Sequence, residues 1–133
     1  MTIDRKHGVQ DRPGRMRGMF AAALLLSAPA WSGPCERVQA NDELISCLDR
    51  EYRSADKELN QIYARLRGRL DASGKALLKT AQMRWIGFRD ADCEFNAAAD
   101  KGGLDYQPNY ISCQMQHTRQ RIGELKRSPF WHD

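Results

Sequence analysis

The sequence predicts an all-α protein, a small antiparallel three-helix bundle with two disulfides at one end. Three observations predict it. Apolar residues over 41–70 recur at steps of three and four, the signature of an amphipathic helix. Turn-forming residues at 71–74 and 100–109 cut the rest into two further helical stretches. Four cysteines fall where successive antiparallel helices would bring them to one end.

The first helix, 41–70, carries Leu44, Leu48, Tyr52, Ala55, Leu59, Ile62, Leu66 and Leu70 on one stripe. Asn41 is a suitable N-cap, Asp42 and Glu43 suit the positive end of the helix dipole, and Arg65, Arg67 and Arg69 suit the negative end. A second helix, 74–98, is capped by Ser73 and places Leu78, Ala81, Trp85, Phe88 and Phe95 on one face. Those aromatics, and Tyr63 on the first helix, read as core. Gly102, Gly103 and Pro108 make 100–109 a loop. The third helix, 109–127, carries Tyr110, Cys113, His117, Ile122 and Leu125, and Pro129 ends it.

The first thirty residues read differently from the rest. Arg5, Lys6, Arg12, Arg15 and Arg17 form a basic leader, 18–28 (GMFAAALLLSA) is apolar, and Ala28-Pro29-Ala30 fits the small-x-small pattern of secretory cleavage. Residues 1–30 are therefore expected to be a signal peptide and 31–133 the helical domain, with translation starting at Met1 or, for a more compact leader, Met16. The apolar run falls far short of the roughly twenty residues of a membrane span. Pro34 before Cys35 argues against a lipid anchor, and no adjacent arginine pair marks the twin-arginine route. The expected location is periplasmic or secreted.

Removing the leader takes five basic and two acidic residues from totals of 21 and 17, which leaves 16 against 15. A net charge of +1 attracts no polyanion in bulk, so nucleic-acid binding is not expected. An even number of cysteines in an exported domain reads as two disulfides among Cys35, Cys47, Cys93 and Cys113. Zinc would favour close pairs such as C-x-x-C, and the spacings here are 12, 46 and 20. Three pairings are possible; Cys35 with Cys47 and Cys93 with Cys113 close the shortest loops and join adjacent segments. Loops of this size are each worth about 3 kcal/mol in the chain-entropy picture.

No catalytic constellation is apparent. His117 is the one histidine on a predicted element, and no G-x-S-x-G elbow, H-E-x-x-H pair or phosphate loop occurs. Asp90-x-Asp92-x-Glu94 opens like a calcium loop, but Phe95 stands where the turn needs Gly and Lys101 where the ion needs a bidentate Glu. Glycoside hydrolysis needs two carboxylates facing across a cleft, which a slim bundle rarely forms. The expectation is a protein that is not an enzyme and has no metal and no cofactor.

Antiparallel order sorts the charges. Glu36, Asp42, Glu43, Asp49, Glu51, Asp90, Asp92, Glu94, Asp100 and Asp105 outnumber the bases at the disulfide end. Arg65, Arg67, Arg69, Lys75, Lys79, Arg84, Arg119, Arg121, Lys126 and Arg127 dominate the other. Helix dipoles account for this in the first and third helices. The second helix runs against them: Lys75 and Lys79 sit at its positive end and Asp90, Asp92 and Glu94 at its negative end.

Several stretches resemble a known family. ADKELNQIY (55–63), AQMRWIGFRDADC (81–93), Tyr110 with Cys113, and Thr118 with Arg121 are similar to the LprI-type lysozyme-inhibitor domain over about 35–125. The resemblance implies an exported, disulfide-bonded helical domain that inhibits lysozyme. Within its two long motifs, antiparallel register sets Asp56 near Arg89 and Asn60 near Gln82, and these four are expected to form a polar layer that fixes helix register. The acidic, disulfide-stiffened end suits a basic partner such as lysozyme. Asp100, Asp105 and Tyr106 of the loop 96–109, helped by Asp92 and Glu94, are the expected contact residues. The rival readings are an immunity or envelope-adaptor protein with another partner, a structural or stress-response envelope protein, and a small carbohydrate-active enzyme. Oligomeric state is not legible in the residues.

Overall fold

The computed structural model describes residues 33–132, so the signal-peptide reading and its cleavage point lie outside the described residues. Three α-helices follow in order: α1 Asn41–Gly68, α2 Ala72–Ala97 and α3 Tyr106–Lys126, with a single 3-10 turn, Ala98–Asp100, after α2. No strand occurs among the described residues.

α1 forms because its stripe finds a partner: Leu48, Ala55, Leu59, Ile62 and Leu66 are all buried. Its cap differs from expectation. Ala40 occupies the N-cap with no side-chain bond, so Asn41 is already inside the helix and Asp42 and Glu43 alone favour its positive end. α2 is capped by Asp71, whose carboxylate accepts from the Gly74 amide at 2.7 Å, and not by Ser73. Gly74 suits that tight entry, since an added Cβ would stand 3.1 Å from Leu70 Cβ and 3.2 Å from Asp71 Oδ1.

The largest departure from the expected boundaries is the start of α3. Pro108 was expected to keep 100–109 non-helical, but it stands in the first turn of the helix, where no intrahelical amide bond is required of it and its fixed φ fits. The connection from α2 is therefore the 3-10 turn plus five residues, reversed at Gly102, whose φ of 86° is the left-handed region that glycine enters freely.

α1 and α3 run parallel. Glu51 meets Arg119 and Glu58 meets Lys126, both pairs separated by 68 residues. α2 runs antiparallel to α3, with Cys93 joined to Cys113, Asp90 to Gln114 and Gln82 to Arg121, partners climbing on one helix as they descend on the other. α3 packs along both neighbours, whereas α1 and α2 meet only briefly.

The core has two apolar clusters. Away from the disulfides, Leu59, Ile62, Leu66, Ile122 and Leu125 pack with Tyr63, Leu78, Trp85 and Trp131. At the other end, the Cys35–Cys47 bridge and Leu48 pack with Val38, Leu44, Ile111 and Met115. Ile111 and Met115 flank Cys113 on α3, so the Cys93–Cys113 bridge lies at the same end. The face expected of α2 needs correction. Leu78 and Trp85 do meet the core, but Ala81, Phe88 and Phe95 are exposed. α2 buries Gln82, Arg89, Cys93 and Ala97 instead, because α3 lies to that side of it.

Candidate functional site

Between the two apolar clusters lies a polar layer, built mainly by α2 and α3. Arg89 is only 7% exposed, yet it has partners for its charge and its faces. Its guanidinium donates to Asp90 at 2.8 Å through Nε and pairs with it at 2.7 Å through Nη2. It also lies 5.2 Å from the Trp85 ring and 5.9 Å from the Tyr52 ring, within cation–π range. Gln114 donates to the same Asp90 oxygen at 3.2 Å and to the Tyr110 hydroxyl at 3.3 Å. Thr118, fully buried, donates to the Gln114 carbonyl at 2.7 Å. Arg121 donates to Gln82 Oε1 at 3.2 Å and pairs with Glu124 at 3.0 Å.

This layer corrects the expected one. Asp56 and Asn60 bond each other along α1 at 3.0 Å, and neither of the expected cross-helix pairs forms a hydrogen bond. The reason is that Gln82 and Arg89 take their hydrogen-bond partners from α3 and from α2 itself, and Arg89 meets α1 only at the Tyr52 ring. Asp90, Gln114 and Arg121 supply them, and sequence periodicity carried no signal for the first two. Asp56 bears on the layer only through its charge on Tyr52. Burial raises the Tyr52 phenol pKa above 10.0, the positive charge of Arg89 opposes that, and Asp56 and Asp90 add to it. Burial, followed by the charge of Asp90, also raises the Tyr110 phenol.

The acidic end is stiffened around the Cys93–Cys113 bridge. Asp92 Oδ2 lies 2.8 Å from His117 Nε2 and accepts from Asn96 at 3.1 Å. The ring of Phe88 meets His117 edge-on at 5.6 Å. Asp100 accepts from Asn109 Nδ2 at 2.7 Å, which braces the connection against the first turn of α3. Tyr106 stacks on Tyr110, with centroids 6.1 Å apart and planes 10° from parallel. Of the expected contact residues, Glu94 and Asp105 are exposed and Asp92, Asp100 and Tyr106 half-buried, all on or next to the 96–109 connection. Arg119, assigned from sequence to the basic end, pairs instead with Glu51 in the disulfide half. Ligand atoms of Cys93, Cys113 and His117 lie within 4.8 Å of one another, but both sulfurs are spent in the disulfide and are not thiolate donors.

The model of the family described as lysozyme inhibitor LprI matches residues 35–125, from the first cysteine to the last core leucine of α3. The chain belongs to the LprI lysozyme-inhibitor family. An uncharacterized protein of Rhizobium meliloti (strain 1021) is 35% identical to this LprI-family chain over 106 residues, 69% of this chain and 76% of that protein. No solved structure matches. Family membership gives the LprI domain a protein-binding, inhibitor-like role, and it is not an enzyme. No helix among the described residues is long and apolar enough to cross a membrane.

Proposed function

We propose that the protein is exported to the periplasm or beyond and inhibits a lysozyme-type peptidoglycan hydrolase by direct contact through its acidic, disulfide-braced end. The supporting observation is the gathering of Asp92, Glu94, Asp100 and Asp105 around one short connection, opposed there by Lys101. Two features hold this surface in a fixed shape before any partner arrives: the Cys93–Cys113 bridge and the Asp100–Asn109 bond. A preorganised surface loses less entropy on docking, and its negative field speeds encounter with a basic enzyme. Tyr106 supplies a partly exposed ring beside the carboxylates, the kind of side chain that anchors interfaces.

The test is the pair Asp100→Asn and Asp105→Asn in one chain, which removes two charges and keeps the side-chain shapes. The association rate with lysozyme is expected to fall several-fold at low salt and to lose most of its dependence on ionic strength. An unchanged rate at both salt concentrations removes these residues from the contact. An oxidised protein that leaves lysozyme turnover untouched at high excess removes the inhibitor reading itself.

A further inference from the structure

We propose that the outward face of α2 is a self-association surface, on which a second copy of this chain docks through an antiparallel α2–α2 contact. Leu77, Ala81, Arg84, Phe88, Ala91 and Phe95 follow one another at alternating steps of four and three, the spacing of a coiled-coil seam. All six are exposed, with Leu77 at 70%, Phe88 at 59% and Phe95 at 78%. They lie on the side of α2 away from Gln82, Arg89 and Cys93, so the bundle leaves the seam uncovered. Large side chains in such a row on a helix already packed on its other side mark an interaction surface.

The order of sizes along the seam says what covers it. A two-fold axis beside Ile86 sets Leu77 against Phe95 of the second copy, Ala81 against Ala91 and Arg84 against Phe88: large with large, small with small, and a guanidinium on an aromatic face. Midway along the seam Gly87 flanks it, one residue before Phe88, and an added Cβ there would meet nothing within 4 Å of the single copy. Phe88 is braced edge-on by His117 and reaches the contact already oriented.

Charge points to the same partner and orientation. α2 carries Lys75, Lys79 and Arg84 in its first half and, beyond the mutually paired Arg89 and Asp90, Asp92 and Glu94 in its second, against its own dipole. In the antiparallel pair each basic half lies along the acidic half of the other copy, and the two dipoles oppose. The charge order that is unfavourable in one copy becomes complementary in two. Lys75 and Lys79 lie off the seam and act at long range, while Arg84 acts within it.

Sedimentation equilibrium of the oxidised protein, from micromolar to several hundred micromolar, tests this. A reversible dimer is expected. Leu77→Lys and Phe95→Glu are each expected to weaken it at least about tenfold, and the chain carrying both to recover about tenfold, because antiparallel register sets the two introduced charges together. Ala91→Gln, exposed in the single copy and set against Ala81 of the second, is expected to weaken the dimer at least about tenfold while circular dichroism stays unchanged. A wild-type chain that remains monomeric throughout overturns the proposal, as does a double variant no better than the single ones. A monomeric chain whose binding to lysozyme is lost with Leu77→Lys also overturns it, by giving the face to the hydrolase.

Discussion

Replacing Arg89 separates the two things its side chain does, filling space and carrying charge. Arg89→Ala removes two stem methylenes worth about 0.8 kcal/mol each when buried. It also removes two ring-face contacts of about 0.5–1 kcal/mol each. The pair with Asp90, whose side chain is 44% exposed, adds less than about 1 kcal/mol. Asp90 is not orphaned, because Gln114 still donates to it and water reaches it. The total is about 3 kcal/mol, or a fall in Tm of about 15 °C for a domain of this size. Arg89→Met keeps most of the stem and relieves the desolvation of a buried cation, so its expected loss is about 1 kcal/mol. Thermal unfolding followed by circular dichroism with both disulfides intact measures the difference. Lysozyme inhibition measured well below both midpoints is expected to be unchanged. The reasoning is refuted if Arg89→Ala melts within a few degrees of the wild type, or if methionine costs as much as alanine.

Further outcomes follow from other parts of the fold. Reducing both disulfides is expected to remove about 6 kcal/mol in the chain-entropy picture, a large share of the 5–15 kcal/mol typical of a domain, so denaturant midpoints should fall steeply in dithiothreitol. Asp71→Ala deprives the Gly74 amide of its acceptor and should cost about 1 kcal/mol by urea unfolding, since the cap is exposed. The raised phenol pKa of Tyr52 stabilises the fold fully below pH 10.0, the unfolded value. That contribution is lost as pH rises through the higher folded value, because the unfolded chain deprotonates first. Tyr52→Phe should therefore flatten the alkaline limb of the stability–pH curve, and an unchanged limb would contradict the assignment.

The three helices were legible because apolar periodicity reports burial, and in α1 Leu48, Ala55, Leu59, Ile62 and Leu66 of the stripe are all buried. The cysteine positions carried the topology as well, since only a chain folded back on itself brings them to one end. α2 was harder to read, because its apolar residues divide between an inner face holding Leu78 and Trp85 and an outer one holding Leu77, Phe88 and Phe95. A periodicity argument merges the two faces into one. The polar layer was misread for a related reason. Sequence order made α1 the presumed source of hydrogen bonds to Gln82 and Arg89, whereas Arg121 of α3 and Asp90 of α2 supply them. Pro108 misled because proline interrupts a helix interior but fits its first turn. The acidic residues of the 96–109 connection were legible as charges, but the bond from Asn109 that braces Asp100 was not.

The placement of α3 between its two neighbours also governs how the protein tolerates sequence change. α1 and α2 touch where Tyr52 meets Arg89 and where Leu78 and Trp85 reach the core, so substitutions away from those contacts should combine additively between the two helices. Thr118 and Arg121, on the middle helix, have no such independence, and a change there alters the setting in which both outer helices evolve. Variation can accumulate separately on the two flanks only while the central strut keeps its residues.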